Sequence, residues 1–118
     1  MSEIKQIQPD NWKNFLEEFS TRNNGRRSRF QIFKGRNVEN EGQEYHLEEV
    51  RLQDGNSVVI TRIDRTKGDG EKIHDTITNV TGVSVQYDTD GSENVLEVTD
   101  RENELISLRM ESRVDGAS

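Results

Sequence analysis

Cysteine is absent from this chain, which removes disulfides, thiolate metal ligands and thiol nucleophiles together. Proline and tryptophan occur once each, and aromatic residues make up only 6% of the sequence. Apolar residues are scarce, at 29% against 33% charged. That balance leans towards disordered composition, so order has to come from the pattern of the apolar residues rather than their number. No apolar run approaches the roughly 20 residues that cross a bilayer. The opening Met1-Ser2-Glu3-Ile4-Lys5 lacks the apolar stretch of a secretion signal. These absences predict a cytoplasmic protein with no membrane association, a thin core and a heavily solvated surface.

The 118 residues suit one domain over 1–118, with order expected over about 8–110 and both ends frayed. The formal net charge is −7, which favours solubility and opposes general polyanion binding. The charge is unevenly placed. From Ser20 to Val38 there are six basic residues, Arg22, Arg26, Arg27, Arg29, Lys34 and Arg36, and no acid. The rest of the chain carries the negative excess.

Apolar spacing supplies the architecture. Trp12, Phe15, Leu16 and Phe19 recur at helical intervals and form one stripe. Pro9 suits a first helical position, Asp10 and Arg22 match the two ends of the helix dipole, and Asn23-Asn24-Gly25 stops the element. The spacing predicts a helix over about 9–22. After Gly25 the period changes to two, with Ser28, Phe30 and Ile32 on one face and Arg29, Gln31 and Phe33 on the other. The step from Leu47 to Val50 breaks the alternation, so a bulge or corner is expected near Glu48-Glu49. Asp54-Gly55-Asn56 signals a hairpin, with Val58, Ile60 and Arg62 returning on one face. Thr66–Glu71 reads as a loop, and Ile73–Val80, Val83–Tyr87, Val95–Asp100 and Leu105–Met110 as further strands. With six or seven short strands, tight turns and no second helix to cross over, pairing must be mostly antiparallel. The fold class expected is α+β: one N-terminal amphipathic helix packed on a curved antiparallel sheet of five to seven strands, with closure towards a barrel as an option.

The string Ile7-x-Pro9-x-x-Trp12-x-x-Phe15-Leu16-x-x-Phe19-Ser20, with Gly25 five residues on, resembles the opening of a family of small bacterial proteins of unknown function. The later rhythm of His74-x-x-Ile77 leading into Val83 and Val85 is similar too. The resemblance implies the α+β fold; it implies no activity and no site residues.

Each candidate chemistry competes with a plainer role. The basic segment, with Phe30 and Phe33 among its cations, offers phosphate contacts and rings for single-stranded nucleic acid. It also lies at hairpin distance from Glu39, Glu41, Glu44, Glu48 and Glu49, which would neutralise it across strands. Asp88-x-Asp90-Gly91-x-Glu93 has part of a calcium-loop pattern, but the twelfth position is Thr99, so it reads as a turn. His46 and His74 have no neighbour at metal-ligand spacing and no nucleophile turn nearby. Catalytic, metal and cofactor-binding residues are therefore expected to be none. The favoured function is a non-enzymatic protein-interaction module that binds an acidic protein partner through Arg22, Arg26, Arg27, Arg29, Lys34 and Arg36. Single-stranded nucleic-acid binding on that surface is the first alternative, and a small hydrolase or isomerase using His46 or His74 the second.

Overall fold

A computed structural model describes residues 3–40, 44–66 and 70–111. The chain runs β1 (Glu3–Ile7), a 3-10 turn (Pro9–Asn11), α1 (Trp12–Asn23), β2 (Arg27–Lys34), β3 (Asn37–Asn40), β4 (Tyr45–Gln53), β5 (Ser57–Asp64), β6 (Glu71–Ile77), β7 (Val80–Tyr87), β8 (Glu93–Asp100) and β9 (Leu105–Met110). All pairing is antiparallel, in the order β1-β7-β8-β9-β2-β4-β5-β6, with β3 added to β2. The expected α+β architecture is present, with nine strands instead of five to seven, and the sheet does not close into a barrel.

The chain path shows how strongly the sheet bends. In strand order β6 and β7 lie six places apart, about 29 Å in a flat sheet at 4.8 Å per strand. Yet only Thr78 and Asn79 separate Ile77 from Val80, a reach of at most about 11 Å. The sheet must therefore curl until its two ends approach. The Val80 amide then donates to the Asn56 carbonyl in the β4–β5 turn at 2.9 Å. Asn79 adopts a positive φ of 54° to make the corner, which splits the single strand expected over Ile73–Val80.

Helix α1 fills the hollow of the curl. Trp12, Leu16 and Phe19 are buried, Phe15 is half-buried, and they share one core with Val50, Ile60, Val85 and Leu96. The Trp12 indole N–H donates to the Ile7 carbonyl at 3.0 Å, tying helix to β1. Ser20 pins the other end to β4: its hydroxyl lies 2.8 Å from the Val50 carbonyl and accepts the Val50 amide at 2.7 Å. Gly25, at φ +87°, turns the chain out of the helix, and its amide donates to the Leu47 carbonyl. The register shift between Leu47 and Glu49 is the bulge expected there; it returns Leu47 and Val50 to the same face.

Two strands were not anticipated. β1 shows only Ile4 and Ile7 among Glu, Lys and Gln, and it becomes a strand by pairing with β7 rather than by its own pattern. The first described strand thus begins at Glu3. β3 carries one apolar residue, Val38, and folds back on β2 through Gly35-Arg36, with Gly35 at φ +58°. Of the loop expected at Thr66–Glu71, residues 67–69 lie outside the described residues and Glu71 already belongs to β6; the tail from 112 onward also lies outside them. Among the described residues no helix is long and apolar enough to cross a membrane.

Candidate functional site

The six cations of the basic segment do not share one surface. Arg22 sits in the last turn of α1 and holds Glu93 with two hydrogen bonds, Nε–Oε1 at 3.0 Å and Nη2–Oε2 at 2.7 Å. Glu93 is only 7% exposed, and Asn23 Nδ2 donates to its Oε1 at 2.8 Å. The hydrogen bond to Glu93 is the main reason that the Arg22 guanidinium is held above its ordinary pKa. Arg26 donates to Asn23 Oδ1 and to the Glu93 carbonyl, both at 2.8 Å, and to the Glu111 carbonyl. These two arginines lock the end of the helix to β8 and to the end of β9.

Arg27 and Arg29 lie on the outer face of β2, away from the helix, because strand alternation sends Ser28, Phe30 and Ile32 inward. Both are half exposed and both approach Glu44, at 3.9 and 3.3 Å. Lys34 points to the inner side and reaches Glu104 at 3.9 Å. Arg36 stands in the β2–β3 turn and makes no ion pair among the described residues. Of the neighbouring glutamates, Glu48 goes to Lys72 and Glu49 to Arg51, while Glu41 lies outside the described residues. Glu44 and Glu111 hydrogen-bond to each other, which draws Glu44 down and Glu111 up from the ordinary carboxylate value.

Antiparallel register assembles a different group from the one the linear sequence suggested. On the outer face of β9, β2 and β3, Arg29 lies opposite Arg109 and Gln31 opposite Ser107. Phe33 lies between Leu105 on one side and Val38 on the other. Val38 is 49% exposed, while Phe33 and Leu105 are half-buried. Arg109 is exposed and makes no ion pair among the described residues. One end of this face is thus cationic and the other apolar. Arg109 and Val38 carried a readable signal, since alternation in each short strand turns them outward, but only the register shows that they join Arg29 and Phe33.

The histidines do not converge. His46 on β4 and His74 on β6 flank β5, where Thr61 takes the side chain of His74 (Nδ1 to Oγ1, 3.0 Å). Asp75 turns to the inner face instead, with Oδ2 3.4 Å from Arg62 Nη2. Neither histidine lines the two clefts that bracket the core. One, about 540 Å³, lies at the helix end between Phe15, Arg22, Tyr87 and Glu93. The other, about 340 Å³, opens under β6 over Phe30, Ile32, Ile77 and Ile106. At its rim Asp100, Glu102 and Glu104 bring carboxylate oxygens within 4.8 Å of one another. This is an exposed turn in which Asp100 Oδ1 accepts the Glu102 and Glu104 amides. The partial calcium-loop pattern is likewise a turn: Asp90 Oδ1 accepts the Ser92 amide and hydroxyl at 2.9 and 2.6 Å.

Fold and face together define a one-helix, open-sheet α+β domain with a mixed arginine and apolar outer surface. Comparison with family models, with curated proteins and with solved structures finds no match to the chain.

Proposed function

We propose that the chain is a non-enzymatic protein-interaction module whose docking face is the outer side of β9, β2 and β3. What carries this reading is the placement of Arg29 and Arg109 beside Phe33, Leu105 and Val38 on a solvent-facing surface. Arginine and aromatic side chains are the types enriched where proteins dock, and exposed apolar groups beside them supply buried area. The partner that fits is an extended acidic protein segment with an apolar residue about four positions from its carboxylates, the spacing of Arg29 and Phe33 along β2. Of the basic residues first singled out, Arg27, Arg29 and Arg36 remain candidates, while Arg22, Arg26 and Lys34 serve internal contacts. Nucleic acid fits less well: of the two rings in the basic segment, Phe30 is 7% exposed on the opposite face, which leaves only Phe33 on this surface to stack on a base.

The test is selection from a displayed random-peptide library against the immobilised chain. The expected binders carry Asp or Glu about four positions from an apolar residue. They lose affinity tenfold or more against the chain with Arg29→Glu and Arg109→Glu, and against Val38→Asp, which is the order of loss when an interface anchor is removed, about 1.4 kcal/mol or more. Selected peptides that are basic, or that bind these variants equally well, overturn the reading. So does retention of an oligo-dT strand that the same variants abolish.

A further inference from the structure

We propose that two copies of this chain form a two-fold dimer by pairing β1 with β1, joining their sheets edge to edge. β1 pairs with β7 on one side and has no strand on the other among the described residues. Glu3, Ile4, Lys5 and Gln6 are all exposed, and Ile4, at 61%, is the most exposed large apolar side chain among the described residues. A free edge of this kind is a template for another strand unless charge, brevity or a covering element blocks it.

The sequence of the edge decides what it can accept. In a two-fold antiparallel pair a residue faces one on the same side of the sheet, so only registers centred on a single residue are symmetric. Centred on Ile4, the pair places Ile4 against Ile4 of the second copy on the outer face. The same register sets Glu3 against Lys5 twice on the helix side. Exposed apolar groups meet, and both charges of each edge are matched. Centred on Lys5, the register would oppose two like charges, which destabilises a cross-strand pair. Glu3 and Lys5 make no ion pair among the described residues, so neither contact competes with an internal one. Within the described residues the ladder runs from Glu3 to Lys5 of each copy.

The opposite edge of the sheet lacks this property. On β6 the register centred on Ile73 sets Glu71 against Asp75 and Lys72 against His74. The one centred on His74 sets Ile73 against Asp75. Neither matches its charges, so the self-complementary edge is β1. The outer face of β9, β2 and β3 begins three places along the sheet from β1 and stays open in both copies; the dimer does not depend on that face being a docking site.

Light scattering on the full chain at about 100 µM, in low salt, tests the inference. Association of this kind is expected to double the 13.6 kDa mass. Glu3→Lys alone, or Lys5→Glu alone, turns two attractive pairs into two repulsive ones and should raise the dissociation constant about tenfold or more. An equimolar mixture of the two single variants should recover the dimer, because each then opposes charges of the other sign, and so should the double exchange in one chain. Circular dichroism confirms that each variant is folded, as expected for exposed positions. A wild-type mass of one chain at this concentration overturns the proposal. So do single variants that remain dimeric, and a mixture that stays monomeric.

Discussion

Arg62 stands over the ring of Phe30, its guanidinium carbon 4.0 Å from the ring centroid, with the whole residue 1% exposed. Tyr45 approaches the same group at 5.0 Å, and Asp75 Oδ2 lies 3.4 Å away. A buried guanidinium is costly unless its charge meets aromatic faces and acceptors. Here it also fills the volume at which β5, after Val58 and Ile60, would otherwise place a third apolar side chain. Arg62→Ala is expected to lower unfolding free energy by about 3 kcal/mol, from the void and the lost contacts together. Arg62→Met keeps much of the volume and should lose less than half of that. Urea unfolding with an unchanged slope measures both, and equal losses for the two variants would refute the packing argument.

Ser20 supplies the hydrogen bonds that the sheet does not give Val50 on the helix side of the bulge. Its hydroxyl meets both the amide and the carbonyl of a residue that is fully buried. Ser20→Ala leaves the buried Val50 amide without that partner and removes the one hydroxyl proton that the Leu16 and Val50 carbonyls share, which is expected to cost about 1–3 kcal/mol. Hydrogen exchange gives the sharper reading. The Val50 amide should lose protection well beyond the global loss of stability, while the Ile60 amide across the ladder should not.

Arg22 is 45% exposed, and an arginine so placed normally contributes little through its charge. Its partner Glu93 is nearly buried, so the asymmetry matters. Arg22→Ala strands a carboxylate that, among the described residues, only Asn23 still holds, and is expected to cost about 2 kcal/mol. Glu93→Ala lets the arginine return to water. The double variant should therefore lose clearly less than the sum of the two single losses, a coupling of about 1 kcal/mol. Strict additivity in the cycle would show that the pair contributes nothing together.

The helix was legible because burial of Trp12, Leu16 and Phe19 needs nothing but their spacing. The bulge was legible for a similar reason: the odd step from Leu47 to Val50 has one local remedy. β1 and β3 were not, because each has one or two apolar residues and owes its conformation to a neighbour strand. The basic segment misled in a physical way. A run of like charge is linear, whereas a strand deals successive side chains to opposite faces, so Arg29 and Lys34 part company and Arg109 joins from 80 positions away. Strand alternation placed Arg62 on the face of Val58 and Ile60, but its burial under Phe30 depends on the curl of the sheet, which no local pattern records.

His46 should make stability depend on pH near neutrality. It lies opposite Arg27 on β2 and Ile63 on β5, and its Nδ1 is buried with no hydrogen-bond partner among the described residues. Burial first, then the charges of Arg65 and Arg27, pull its pKa below the ordinary 6.5; Glu44 opposes them weakly. The folded chain thus resists a proton that the unfolded chain accepts. The stability that comes from a neutral His46 is complete above 6.5 and is lost as pH falls from there through the lowered folded value. Unfolding free energy measured in urea should fall as pH goes from about 7.5 towards 5.5, and His46→Gln should flatten that fall. Arg65→Gln, which removes the stronger of the two repulsions, should flatten it in part. Glu44 and Glu111 act with opposite signs, since the lowered Glu44 loses stability on acidification and the raised Glu111 gains it. Wild type and His46→Gln with the same slope over this interval would show that the imidazole takes up its proton equally well in both states.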